Sequence, residues 1–166
     1  MNLNNLFKKQ AKLDAYIIAK KGLEGQDLLP NTILALLVEL GECANEWRGF
    51  KHWSEDKEPR TEKLLVEYVD CLHFILSIGN TLDVPKDHPY STYDDDGDIV
   101  DQFQTCFNDI SAFMMDGLLI NDYYHFLELI RDFGSLGLML GFTWEQIEAA
   151  YNAKWEINKQ RQENGY

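Results

Sequence analysis

Two pairs of acids along the chain have the clearest capacity for chemistry. Glu39 and Glu42 are three residues apart, and so are Glu67 and Asp70. Residues three apart share one face of an α-helix, so each pair presents its carboxylates on the same side. If two helices carrying these pairs packed antiparallel, the carboxylates would meet as an oxygen-only ligand set. Such a set suits Mg²⁺ or Mn²⁺ rather than zinc, and Mg²⁺ in this setting commonly also binds substrate phosphates, which indicates a nucleotide substrate.

The second pair lies in a segment that is apolar on almost every side. Residues 64–78 leave little room for a solvated face, so Glu67 and Asp70 are predicted to be partly buried. Clustered buried carboxylates raise one another's pKa unless cations match them, and lysine and arginine are scarce in both segments. A single pair of this kind usually lies on a solvent-exposed helix face, but two pairs on consecutive helices favour a metal site. Glu46, one turn beyond the first pair, is interpreted as an outer or surface acid.

Two other interpretations of the acids stay open on the residues alone. Asp70 and His73 are three apart, which admits a di-iron carboxylate bundle. That architecture needs Glu-x-x-His on two helices, and the other histidines do not follow this pattern. A helical interaction module without catalysis would instead make the acids a salt-bridge surface.

A polar face recurs at helical spacing near the end of the chain. Its members are Tyr151, Lys154, Asn158 and Arg161. This face is either solvated or, in a protein that is otherwise anionic, a grip for phosphate groups.

The elements that carry these residues are predicted to be helical throughout. Periods near 3.6 residues dominate and no alternating strand pattern occurs, so we predict an all-α helical bundle. The first predicted helix covers about 3–20 and ends near Gly22, and the second begins after Asn31 as N-cap and runs to about Arg48. The third has Thr61 as N-cap and a stop signal at Gly79 and Asn80. Further helices are predicted at 99–113 and after Asn121, and the last begins with a Thr143–Gln146 capping box.

Composition narrows the class of protein. With 166 residues, the chain is predicted to be one domain, 1–166, in which about 80–120 is a variable, partly mobile insertion. A net charge of −13 argues against stable nucleic-acid binding. No segment is long and apolar enough for a membrane helix, and three cysteines within apolar runs predict reduced core residues of a cytoplasmic protein.

Several motifs together resemble a known family. ELGE at 39–42 and EYVD at 67–70 resemble the ExxE…ExxD signature of the all-α nucleoside triphosphate pyrophosphohydrolases. Three further stretches resemble the dimeric dUTPases of bacteria, phages and trypanosomatids: QAKLD at 10–14, EWRGFKHW at 46–53 and YNAKWEINKQRQENGY at 151–166.

This resemblance implies an activity and its requirements. The expected reaction is Mg²⁺-dependent hydrolysis of dUTP to dUMP and pyrophosphate, which limits uracil incorporation into DNA and supplies dUMP. Two or three Mg²⁺ ions per site are implied, with Mn²⁺ as an alternative metal, dUDP as a further candidate substrate, and a homodimer as the assembly. A MazG-like or dCTP/dUTP-acting enzyme of the same fold is the alternative within the superfamily.

The resemblance also implies roles for individual residues. Glu42 and Glu39 would be catalytic, with Glu42 taking the proton of the attacking water. The implied metal ligands are Glu39, Glu42, Glu67 and Asp70. The implied substrate-binding residues are Gln10 at the uracil edge, Lys154 and Arg161 on phosphate, Asn158 on sugar or phosphate, and Asp14, Trp47, Lys51, Trp53 and His73 around them. Asp14 departs from the asparagine that relatives often carry at this position, and His73 is interpreted as a supporting or core residue rather than a metal ligand.

Overall fold

The regular structure in the described part of the chain is entirely α-helical. A computed structural model describes residues 3–86, 90–92, 97–115 and 122–165. Its helices are α1 (Asn4–Lys21), α2 (Leu29–Trp47), α3 (Thr61–Thr81), α4 (Ile99–Met115), α5 (Asp122–Met139) and α6 (Trp144–Glu163). The predicted all-α fold is therefore confirmed.

Helix α3 is the centre of the bundle. It packs against α1, α2, α5 and α6, while α4 packs against α2 and α5. Because α3 meets neighbours on nearly every side, its side chains form much of the core, including Tyr68, Leu72, Ile75 and Leu76. Because α3 is enclosed by its neighbours, residues 64–78 are apolar on almost every side, and the two acids of this segment are half-buried (Glu67) or buried (Asp70).

Helices α2 and α3 run antiparallel. Near the end of α2, Glu46 forms an ion pair with Arg60, which lies at the start of α3, at an N–O distance of 3.4 Å. Further back along α2, Glu39 faces Asp70, which lies deeper into α3. The two predicted acid pairs are therefore brought to the same side of the bundle.

Two predicted helix starts differ from the structure. Helix α2 begins at Leu29 and not after Asn31, because Pro30 is tolerated in the first turn and the backbone N–H of Leu29 donates to the Asp27 side chain at 3.1 Å. Asn31 is therefore not the N-cap. Thr61 likewise is the first helical residue of α3 and not its cap.

The predicted stop at Gly79 and Asn80 is also wrong, since α3 continues to Thr81. Gly79 serves packing instead. A Cβ at this position would lie 2.7 Å from the Phe126 ring and 2.8 Å from the Phe7 ring, so only glycine lets α3 approach these aromatic side chains.

Other local predictions are confirmed. Helix α1 ends at Gly22, which has a left-handed φ of 65°. Thr143 and Gln146 form the predicted capping box at the start of α6. Cys43, Cys71 and Cys106 are free and buried. Among the described residues, no helix has the length and hydropathy needed to cross a membrane.

The predicted insertion at about 80–120 contains α4, which packs on α2 and α5. Residues 87–89, 93–96 and 116–121, which include most of the acidic DDDGD stretch, lie outside the described residues. The division into one domain with a variable insertion stays a prediction.

Candidate active site

Three of the predicted metal-binding acids come together where α2 packs on α3. One carboxylate oxygen from each of Glu39, Glu67 and Asp70 lies within 4.8 Å of the others, and we call this group the acid cluster. Asp70 is 9% exposed, while the other two are half-buried. Oxygen-only ligands at such spacing could hold a hard divalent cation.

Burial and mutual repulsion raise the pKa values within the acid cluster. Burial, followed by the charges of Asp70, Glu42 and Glu67, raises the pKa of Glu39 to about 7. The pKa values of Glu67 and Asp70 are also raised, again chiefly by burial. The cluster thus concentrates more negative charge than its surroundings compensate, which favours a bound cation.

Helix α6 supplies positive charge to the acid cluster. Lys154 forms an ion pair with Asp70 in which both side chains are largely buried. Arg161 also lowers the pKa of Asp70 by its charge, although burial outweighs this effect. Both cations were predicted phosphate ligands, and the structure places them beside the carboxylates that would hold a metal.

Glu42 lies at the edge of this arrangement. Its side chain is exposed and it is not one of the three acids in mutual contact. Its charge nevertheless raises the pKa values of Glu39, Glu67 and Asp70, so it lies close to them. Glu46 pairs with Arg60 and is not one of the three acids of the cluster, but its side chain is only 13% exposed, so it is not a surface acid.

A cleft of about 250 Å³ opens next to the acid cluster between α1, α2, α3 and α6. It collects eight of the predicted site residues: Gln10, Asp14, Glu39, Asp70, His73, Lys154, Asn158 and Arg161. Glu39 and Asp70 belong both to the cleft and to the acid cluster. A ligand in this cleft would therefore contact a cation held by the cluster.

The inner wall of the cleft is a hydrogen-bond network around Gln10. Its Nε2 donates to Asp14 Oδ1 at 2.8 Å and to Ser77 Oγ at 3.0 Å. Its Oε1 accepts from the Tyr151 hydroxyl at 2.8 Å and contacts His73 Nδ1 at 2.7 Å. Because an amide offers two donors and one oxygen with two lone pairs, Gln10 has no position left for a ligand in this arrangement.

His73 is the one member of this network with an unused polar atom. Its ring is 4% exposed and stacks on Tyr151 at 4.1 Å. Within the described residues, the buried Nε2 has no hydrogen-bond partner. Burial, followed by the charge of Lys154, lowers the pKa of His73 to about 3, so the ring is neutral near pH 7.

Two residues of the network received no role from the sequence. Tyr151 belongs to the polar face of α6, but nothing in the spacing indicated its bond to Gln10. Ser77 lies four residues after His73 on the same face of α3, and a lone serine in an apolar run is the only signal that could have singled it out.

The predicted aromatic and basic contacts after α2 lie elsewhere. Trp47 packs on Phe103, with ring centroids 5.5 Å apart, in an apolar groove between α2 and α4. Lys51 donates to Asn45, and Trp53 is 67% exposed. The described part of this single chain brings none of the three predicted contacts into the cleft.

Fold and cleft together define a class: an all-α bundle whose carboxylates and cationic side chains suit a nucleotide with metal-bound phosphates. The sequence profile of the dUTPase family matches residues 2–166, and the chain belongs to this family. It is a dUTP diphosphatase, as the sequence motifs predicted. No curated protein sequence matches the chain.

Family membership also decides between the open interpretations. A dUTPase is an enzyme, so the interpretation as a non-catalytic interaction module is wrong. In the described residues, the acid cluster contains no histidine, which a di-iron bundle would require.

Proposed function

We propose that this enzyme hydrolyses dUTP to dUMP and pyrophosphate in the cleft, with Mg²⁺ held by the acid cluster. This proposal rests on the observation that Glu39 and Asp70 belong both to the cleft and to the acid cluster. A nucleotide in the cleft would have its phosphates next to the carboxylates and its base against the inner wall.

The metal would be held by Glu39, Glu67 and Asp70, with Glu42 completing the set from its exposed edge. The all-oxygen donor set and the raised pKa values of Glu39, Glu67 and Asp70 fit a hard divalent cation. We propose two or three Mg²⁺ ions per site, with Mn²⁺ able to replace them. When bound, Mg²⁺ neutralises phosphate charge and makes phosphorus more open to attack.

Glu42 is the proposed general base, with Glu39 as the second catalytic acid. Glu42 combines an exposed side chain with close proximity to the acid cluster, so it can reach a water molecule that bulk solvent supplies. Its carboxylate takes a proton as the water oxygen attacks a phosphorus. The phosphoanhydride linkage between the α and β phosphorus atoms then breaks, which gives dUMP and pyrophosphate.

The polar face of α6 is the proposed phosphate and sugar grip. Lys154, Asn158 and Arg161 all line the cleft, so they can approach the same ligand. Cationic side chains here would bind the charge of a triphosphate that the chain's net charge of −13 would otherwise repel. We propose dUDP as a further substrate, because it retains a phosphoanhydride bond.

The base is proposed to lie against the inner wall, near Gln10, Asp14 and His73. Since the Gln10 amide is already fully hydrogen-bonded, it would support this wall rather than read uracil alone. Trp47, Lys51 and Trp53 lie outside the cleft, so their predicted contact with substrate requires a rearrangement or a second protein chain.

A homodimer is proposed on the exposed apolar side of α2. Leu34 and Val38 are 59% and 52% exposed, one helical turn apart, and Trp53 is also solvent-facing. Light scattering on the purified protein should give a dimer, and Leu34→Glu should shift it towards monomer. Leu138→Glu, at another exposed apolar position, is the matched control. A monomeric wild type would contradict this assembly.

The activity is tested with the wild-type protein, Mg²⁺ and a panel of deoxynucleoside and ribonucleoside triphosphates. The expected result is dUMP and pyrophosphate from dUTP, and little turnover of dTTP, dCTP or UTP. Asp70→Asn should lose this activity, whereas Glu46→Gln, which alters an acid paired with Arg60 outside the acid cluster, should keep it. Release of inorganic phosphate alone, or equal turnover of dTTP and dUTP, would contradict the proposal.

A further inference from the structure

The packing of α6 on α3 places a lysine on one of the carboxylates of the acid cluster. Lys154 Nζ forms an ion pair with Asp70 Oδ2, and the two side chains are only 15% and 12% exposed. Asp70 also has an oxygen within 4.8 Å of carboxylate oxygens of Glu39 and Glu67. An ammonium group and a divalent cation that lie this close together repel strongly where water screens them poorly. Lys154 and a metal ion in the acid cluster therefore compete for Asp70.

The helical turn around Lys154 is held in place on both sides. Tyr151 is fully buried and donates to Gln10 Oε1 at 2.8 Å. Trp155 Nε1 donates to the backbone carbonyl of Lys9 at 3.0 Å. Both contacts fix this turn of α6 to α1, whereas a lysine ammonium is carried on a flexible four-carbon stem. The Lys154 ammonium can therefore change partners while the backbone of α6 stays in place.

The cleft offers the Lys154 ammonium a second partner. Asn158 and Arg161 lie four and seven residues after Lys154, so the three side chains share one face of α6. All three line the cleft, together with Asp70. An ammonium group released from Asp70 therefore stays next to the place where the phosphates of the proposed substrate would lie.

We propose that Lys154 competes with Mg²⁺ for Asp70 and moves to the substrate phosphates when Mg²⁺ binds, so that this lysine couples metal binding to nucleotide binding. This inference rests on the proposed function, in which the acid cluster holds Mg²⁺. A phosphate that attracts Lys154 makes Asp70 available to the metal, and by linkage the metal favours phosphate binding by the same factor. A lysine that only contacted phosphate would have no such effect on Mg²⁺ binding in the absence of nucleotide.

The competition is tested by calorimetric titration of Mg²⁺ into the full-length protein at pH 8 without nucleotide. Lys154→Met should bind Mg²⁺ about tenfold more tightly than wild type, because the charge-assisted hydrogen bond to Asp70 no longer has to be broken. The matched control is Lys159→Met, which removes the same charge from α6 at an exposed position where Lys159 pairs with Glu163. This control should bind Mg²⁺ as wild type does.

The sign of the change in Mg²⁺ affinity is the decisive observation. Damage to the fold would weaken Mg²⁺ binding, so a gain in affinity in Lys154→Met cannot come from such damage. Equal or weaker binding in Lys154→Met than in wild type would overturn the proposal. An equal gain in Lys159→Met would also overturn it, because the effect would then come from overall charge.

The coupling is tested by repeating the titration with protein saturated with α,β-imido-dUTP, an analogue that is not hydrolysed at this linkage. The ratio of Mg²⁺ affinities with and without the analogue should be about tenfold smaller in Lys154→Met than in wild type. Direct contacts between Mg²⁺ and phosphate are present in both proteins, so the difference between the two ratios isolates Lys154. Equal ratios would overturn the proposal.

A measurement on the wild type alone does not depend on any variant folding. NMR should detect a scalar coupling across the hydrogen bond between Lys154 ¹⁵Nζ and Asp70 ¹³Cγ without Mg²⁺, and this coupling should disappear at saturating Mg²⁺. A coupling that persists at saturating Mg²⁺ would overturn the proposal. Failure of the wild type to bind Mg²⁺ in the presence of the analogue would instead overturn the proposed function.

Discussion

The acid cluster and the inner wall of the cleft both include residues of α3, but they differ in how their polar side chains are compensated. Asp70 and His73 are only three residues apart. Around Asp70, burial and then the neighbouring carboxylates raise the pKa values of the acids, and Lys154 is the paired cation. Around His73, by contrast, the donors of Gln10, Ser77 and Tyr151 meet acceptors, among them the Asp14 carboxylate.

The difference separates two tasks of one site. A region with excess negative charge gains most when a cation binds, so it is suited to holding a catalytic metal. A region whose hydrogen bonds are satisfied is rigid and presents one defined pattern to a ligand, so it is suited to selection. Variants in the acid cluster should therefore change rate and metal binding, while variants in the wall should change substrate preference.

The largest expected effect follows from removing a charge in the acid cluster. Asp70→Asn should reduce kcat for dUTP by about 10²- to 10³-fold, since electrostatic stabilisation of the transition state is lost. Pyrophosphate release at saturating Mg²⁺ measures this. If Glu46→Gln showed an equal loss, the acids would act only through overall charge.

A smaller effect is expected in the wall. Tyr151→Phe removes one of the two hydrogen bonds to Gln10 Oε1, so kcat/KM for dUTP should fall by about two- to tenfold. Mg²⁺ binding, measured in parallel by calorimetry, should be unchanged. A large loss of Mg²⁺ affinity in this variant would mean that the two regions are not separable.

The smallest expected effect is a pH dependence of stability in protein kept free of metal by a chelator. The folded pKa of Glu39 is raised from 4.5 to about 7, so the stability associated with its protonation is fully present below 4.5 and is lost as the pH rises through 7. Glu39→Gln should therefore be more stable than wild type at pH 8, by about 1 kcal/mol after solvent screening, and much less so at pH 5. Urea denaturation at both pH values measures this. Equal differences at the two pH values would contradict the assigned cause.

His73 acts in the opposite sense in the same experiment. Its pKa is lowered from 6.5 to about 3, so its contribution is present above pH 6.5 and is lost as the pH falls. Comparing Glu39→Gln with wild type at each pH cancels this effect, because both proteins contain His73.

The sequence predicted the acid cluster better than the wall, for a physical reason. Helical periodicity places residues on a face, and an apolar run such as 64–78 reveals that its acids are buried. It does not reveal which side chain on a second helix meets them. The ion pair between Lys154 and Asp70, and the bond from Tyr151 to Gln10, each join residues far apart in sequence.

The segment after α2 illustrates the same limit. EWRGFKHW predicted contacts between its aromatic residues and the substrate, but Trp47 packs on Phe103 of α4 in the described chain. Aromatic residues suit a base pocket, a core and an interface equally well, so composition alone could not distinguish these places. The start of α2 was missed by three residues and the start of α3 by one, because neither helix has a capping side chain at the expected position.

The most direct test of the account is a calorimetric titration of Mg²⁺ into the protein saturated with α,β-imido-dUTP, which cannot be hydrolysed at that linkage. Wild type should bind two or three ions, and Glu67→Gln, which removes one carboxylate of the acid cluster, should bind them about tenfold or more weakly. Glu46→Gln should behave as wild type. Equal Mg²⁺ affinity in wild type and Glu67→Gln would contradict the claim that the acid cluster holds the catalytic metal.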